Sequence, residues 1–102
     1  MNEIKDEGKK MVLSRVNPEN YFRVANGTII KGLMELDSSL ENMGEETFRY
    51  HVNDYRNDFS AWIRDTIKDE ELANQLILTK DKSRTQVLVL RRIVQILGDK
   101  NE

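Results

Sequence analysis

Between Ile29 and Met43 the apolar residues Ile29, Leu33, Leu36, Leu40 and Met43 follow one another at spacings of 4, 3, 4 and 3. That alternation places them on one face of a helix, since about 3.6 residues complete a turn. Gly44 stands where the left-handed cap of such a helix falls. Glu45 and Glu46 come next, and acids in a first turn meet the positive end of the peptide dipoles. A second helix is predicted there, with Phe48, Val52 and Tyr55 on one side and His51 beside them. Asn57 or Asp58 can cap a third helix by accepting hydrogen bonds from its free amides. Phe59, Trp62, Ile63 and Ile67 make its apolar face. Asp69 is the next candidate cap, opening a segment in which Leu72, Ala73 and Leu76 point inward.

The last element starts at Ser83 or Asp81 and ends at Gly98. Val87, Val89, Leu90, Ile93, Val94, Ile96 and Leu97 cover roughly half its circumference if it is helical, wider than the ~100° stripe of an ordinary surface helix. The β-branched content around Val87 and Val89 keeps a strand open, while length and the Arg91-Arg92 interruption favour a helix. Either this helix lies centrally, or part of its arc meets another protein. Upstream, Asn26-Gly27 sits between Tyr21-Phe22-Arg23-Val24-Ala25 and Thr28-Ile29-Ile30, which is a hairpin signal. A loop leading directly into the helix is the competing reading. Asn17-Pro18 separates this region from sixteen residues that mix Lys and Glu around Ile4, Met11, Val12 and Leu13. The fold class expected is mainly α: a small bundle of about four to five short helices, with the minor hairpin near 21–30. Residues 1–17 read as a flexible or partner-ordered N-terminal arm, 18–98 as a single helical domain and 99–102 as a charged tail.

The run Phe48-Arg49-Tyr50-His51-Val52-Asn53, then Asn57-Asp58-Phe59, Trp62-Ile63-Arg64-Asp65, Asp69 and Leu72-Ala73 resembles a family of short archaeal and bacterial proteins of unknown function. Gly27 and the Glu35-Leu36 helix add to the resemblance, which spans residues 22–76. It implies relatives and a compact helical domain, with His51, Asn57, Asp58, Phe59 and Trp62 as a structural motif. It implies no activity. The N-terminal segment and the C-terminal helix fall outside it.

Composition narrows the function classes. A chain of 102 residues suffices for one domain. It has no cysteine, so disulfides, thiol nucleophiles and thiolate metal sites are excluded. The charged N-terminus does not read as a signal peptide, and no apolar run approaches the ~18–20 residues that span a bilayer. The expected location is the cytoplasm, with no membrane partner. The 18 acidic and 16 basic residues nearly cancel, giving no global attraction to nucleic acid.

Candidate chemistry begins at His51, the only histidine. It could serve as a general base beside Asp54 or Asp58. The alternative is a histidine that ties two helices together through a ring hydrogen bond, and the lack of a nucleophile arrangement around it favours that role. One histidine cannot build a zinc site. Asp54, Asp58 and Asp65 can offer oxygen ligands to Mg²⁺, but a solvated acidic surface is the simpler reading, so no metal and no cofactor is expected. The five scattered glycines form no phosphate loop, and Asn26-Gly27-Thr28 reads as a turn rather than a glycosylation acceptor. Trp62, Phe59 and Tyr55 read as core rather than as a ligand platform.

Charge is segregated. Glu35, Asp37, Glu41, Glu45 and Glu46 occupy residues 35–46 without a basic residue, whereas Lys80, Lys82, Arg84, Arg91 and Arg92 lie together later in the chain. These patches can neutralise each other within one molecule or between copies, contact nucleic-acid phosphates, or remain solvated. The function expected is a binding module without catalysis, associating with itself or with another protein through Val89, Ile93 and Ile96 rimmed by Arg91 and Arg92. The alternative is an accessory nucleic-acid-binding protein using the basic patch.

Overall fold

The structure is a computed structural model and describes residues 12–98. Val12, Leu13 and Val16 pack against the core. The Val16 N–H donates to the Lys31 carbonyl at 2.8 Å. Residues 12–17 of the expected arm are therefore laid on the domain, while residues 1–11 and the tail 99–102 lie outside the described residues. A single 3₁₀ turn, Pro18–Asn20, follows, with proline at a position where its missing N–H costs nothing.

Two short strands, β1 (Phe22–Arg23) and β2 (Ile29–Ile30), pair antiparallel with Phe22 opposite Ile30 and Arg23 opposite Ile29. The Gly27 N–H donates to the Val24 carbonyl and the Val24 N–H to the Thr28 carbonyl, each at 2.8 Å. Gly27 has φ +96°, a left-handed conformation that a Cβ would disfavour. Asn26 Oδ1 accepts the Thr28 N–H at 2.9 Å and holds the turn closed. The Asn-Gly hairpin is thus present. Ile29 belongs to a strand and not to the helix whose period it was expected to start, because pairing with Arg23 and the extended Gly32 delay that helix to Leu33.

Five helices follow: α1 (Leu33–Asn42), α2 (Glu45–His51), α3 (Asp58–Trp62), α4 (Glu70–Leu76) and α5 (Lys82–Gly98). A π turn, Ile63–Ile67, extends α3 and closes on Lys68 in the left-handed region at φ +68°. The mainly α bundle with a minor hairpin is the architecture expected, although α5, at 17 residues, is not short. Gly44 is extended, at φ −77° and ψ 167°, and precedes α2 rather than capping α1 in the left-handed region. Met43 makes the link instead, extended and buried. The acceptor caps act as their residue types suggest: Asn57 Oδ1 takes the Ser60 N–H at 3.0 Å, Asp69 Oδ1 the Leu72 N–H at 3.2 Å and Asp81 Oδ2 the Arg84 N–H at 2.7 Å.

Leu33, Leu36 and Leu40 of α1 are fully buried, each contributing on the order of 1.5–3 kcal/mol of apolar burial. Helix α5 packs against both α1 and α4. Its N-terminal end lies beside the C-terminal end of α1, since Lys82 Nζ donates to the Leu40 carbonyl at 2.9 Å. That contact places a cation at the negative end of the α1 dipole. Among the described residues no helix is long and apolar enough to cross a membrane.

Gly32 is where the chain entering the domain meets the chain leaving the hairpin. A Cβ there would stand 3.0 Å from the Ser14 carbonyl oxygen and 3.4 Å from the Arg15 Cα. Replacing Gly32 with Ala is expected to cost about 1–2 kcal/mol by forcing these backbones apart. The check is urea unfolding together with amide exchange at Val16, whose protection should fall first.

Candidate functional site

The residues singled out around His51 converge. His51 ends α2 and is 4% exposed. Its Nε2 accepts the Ala25 N–H from the hairpin turn at 3.0 Å. Since Nε2 receives a hydrogen bond, the ring proton sits on Nδ1, which donates to Asp58 Oδ2 at 3.0 Å. Arg56 Nε lies 3.4 Å from the same oxygen. A carboxylate on Nδ1–H is how a catalytic histidine is oriented, leaving Nε2 to take a proton. Here Nε2 faces a backbone donor, so both ring nitrogens are engaged in joining the hairpin to α2 and α3. The bond was expected to tie two helices; it ties a hairpin as well.

Aromatic packing completes the cluster. Phe22 of β1 stacks on Phe59 with ring centroids 4.9 Å apart and meets His51 and Trp62 edge-on at 5.1 and 5.8 Å. Trp62 Nε1 donates to the Asn20 carbonyl at 2.8 Å. Asn57 Nδ2 donates to the Leu76 carbonyl at 3.0 Å, and Ser60 Oγ to the Ala73 carbonyl at 2.7 Å, so α3 is bonded directly to the last turn of α4. Tyr55 is a correction: it is 95% exposed. The helix stops at His51, and Asn53 folds residues 53–56 into a turn, its N–H donating to the Arg56 carbonyl at 2.9 Å and its Oδ1 accepting the Tyr55 N–H at 2.9 Å. Phe22 fills the aromatic position expected of Tyr55.

Asp54, Asp58 and Asp65 do not form one site. Asp54 pairs with Lys80, which holds its exposed carboxyl below the usual range. Asp58 serves His51 and Arg56, and Asp65 lies 3.5 Å from Arg64. Among the described residues no three His, Asp or Glu side chains gather as ligands for a metal ion.

The basic patch is largely engaged inside the chain. Lys80 pairs with Asp54 and Lys82 bonds Leu40. Arg92 holds the buried Asp69 by two contacts, Nε to Oδ2 at 2.8 Å and Nη2 to Oδ1 at 3.3 Å, and stands 3.5 Å from Glu71. Arg84 and Arg91 are exposed on the outer side of α5.

The interface residues read from the sequence require the plainest correction. Val89, Ile93 and Ile96 are buried, at 0, 5 and 7% exposure, because that side of α5 packs on the rest of the domain. The opposite side carries Val87, Leu90, Val94 and Leu97, which remain 45–59% exposed. Their spacings of 3, 4 and 3 align them along one outer stripe. Gln86 Nε2 donates to Glu41 Oε1 at 3.4 Å, so α1 flanks the stripe on one side. Asp37, one turn before Glu41, has its carboxyl pushed up, by desolvation first and by the Glu41 charge second. Its Oδ1 is buried without a hydrogen-bond partner.

A hairpin clasped through a histidine to a layer of short helices, with one long helix covering them, defines a small helical domain that turns an apolar stripe outward. The chain belongs to DUF5752, a family of unknown function, which it matches over residues 15–102. That match reaches well beyond residues 22–76 and includes α5, so the last helix is part of the family domain and not an addition peculiar to this protein. No curated protein and no solved structure matches the chain.

Proposed function

We propose that this protein is a non-catalytic binding module of the cytoplasm that associates through the outer stripe of α5. The observation that carries the reading is the row Val87, Leu90, Val94 and Leu97, half-exposed along one helix whose other side is already buried. Scattered surface apolar residues are ordinary, whereas a contiguous patch rimmed by charge marks contact with another protein. The histidine supports the absence of catalysis, because the nitrogen a base would use is occupied by the Ala25 N–H. The nucleic-acid alternative is weaker, since Asp54, Asp69 and Glu71 neutralise cations it would need.

Light scattering on a sizing column at low and high salt tests this. A multimer in both conditions is expected, falling to the 12.0 kDa monomer when Leu90 is replaced by Asp. Because Leu90 faces outward, the substitution should change folding stability by under about 0.5 kcal/mol. A wild-type monomer at every concentration, or a multimer that Leu90→Asp leaves intact, overturns the reading.

A further inference from the structure

The occupant of the stripe is written into its chemistry. Val87, Leu90, Val94 and Leu97 repeat as Val-x-x-Leu-x-x-x-Val-x-x-Leu over eleven residues, with valine at one seam position and leucine at the other. Valine at the first position and leucine at the second is the combination that favours parallel two-stranded packing. The helix is already folded on its domain, so association does not incur the cost of forming it.

The flanks fix the direction. Arg91 lies four residues after Val87 and Gln86 four residues before Leu90, so they border opposite sides of the stripe. Beyond Gln86 comes the acidic face of α1, with Glu41 in contact with Gln86 and Asp37 one turn away. One side of the stripe is therefore acidic and the other, through Arg84 and Arg91, basic. In an antiparallel pair each side would meet its own kind, base on base and acid on acid. In a parallel pair the basic side of each copy meets the acidic side of the other.

We infer that a second copy of this chain occupies the stripe, α5 lying parallel to α5 about a two-fold axis, with Arg91 of each copy facing Gln86 and Glu41 of the other. This rests on the stripe being the binding face and adds the partner and its orientation. The carboxyl pair of Asp37 and Glu41, mutually repelling in the isolated chain, gains in such a dimer the cation it lacks. Of the acidic run at 35–46, Asp37 and Glu41 then meet Arg91 between molecules, while Glu35 and Glu45 pair with Arg15 and Arg49 within the chain. Within one chain, Lys80 and Arg92 pair with Asp54, Asp69 and Glu71 instead.

The chain has no cysteine, so an introduced one is the only thiol available for cross-linking. Val94→Cys, oxidised in a glutathione redox buffer, is expected to link to itself and double the mass on a non-reducing gel, because identical seam positions face each other in a parallel pair. Arg91→Glu should weaken association tenfold or more, and adding Glu41→Arg should restore it. If Val94→Cys fails to link to itself but links to Leu90→Cys, and Arg91→Glu tightens association, the pair is antiparallel and the inference falls while the stripe remains the binding face. A multimer that Leu90→Asp does not dissociate removes the binding face itself. A chain that stays monomeric throughout removes both.

Discussion

Replacing Arg92 with Met is expected to lower the free energy of unfolding by about 3–5 kcal/mol, the range seen when one member of a buried ion pair is removed. The Asp69 side chain is 2% exposed and receives the guanidinium through two contacts. Without Arg92 its carboxylate keeps only the Leu72 N–H for compensation, in a place water scarcely reaches. Lysine should not substitute, since an ammonium cannot reproduce the two-pronged contact. A second change separates charge from capping. Arg92→Met combined with Asp69→Ser retains an oxygen for the α4 cap, removes the stranded charge, and should recover most of the loss. Chemical denaturation followed by far-UV circular dichroism reads both. A cost below about 1 kcal/mol for the single change would mean that the pair does not hold α5 to α4.

His51→Ala should cost about 3 kcal/mol, combining a part-buried backbone N–H left without its acceptor, a lost carboxylate contact and a cavity among buried rings. The effect should be directional. Ala25 loses its acceptor, so its amide should exchange faster than those of α1, and Trp62 fluorescence should report loosening of Phe22 against it. Asp58→Asn is the milder control: its carbonyl oxygen still accepts from Nδ1, and a cost of about 1 kcal/mol is expected. Equal costs for the two variants would place the stabilising contact on Asp58 rather than on the bond to Ala25.

What could be read from the sequence was local. The 3-and-4 spacing from Leu33 to Met43, the caps at Asn57, Asp69 and Asp81, and the Asn26-Gly27 turn each depend on neighbours a few residues away, and each appears in the fold. What was hidden depended on distant partners. On α5 the stripe of Val89, Ile93 and Ile96 and that of Val87, Leu90, Val94 and Leu97 are about equally apolar, so composition could not tell which faced inward. One further signal was present: Thr85 and Leu88 share the buried side, and Arg92 lies beside it with Asp69 to meet. Tyr55 was misplaced because its spacing continues the helix, whereas Asn53 turns the chain. The role of Phe22, on a two-residue strand, is visible only once the hairpin is laid across α3.

The π turn at Ile63–Ile67 governs the phase of everything after it. The Ile63 carbonyl accepts from Lys68 and, at 3.2 Å, from Asp69, reaching farther along the chain than an α-helix does. Such a widened turn is an α-turn with one residue inserted. An α-helix advances about 100° per residue, so removing that residue would swing Asp69 by about a quarter of a revolution. Its carboxylate would leave Arg92, and α4 would start from the wrong azimuth to receive Ser60 and Asn57. Insertions and deletions are usually absorbed by exposed loops such as 53–56. In this chain the segment least able to change length lies within a helix, where a gap in register would uncouple α5 from the domain it covers.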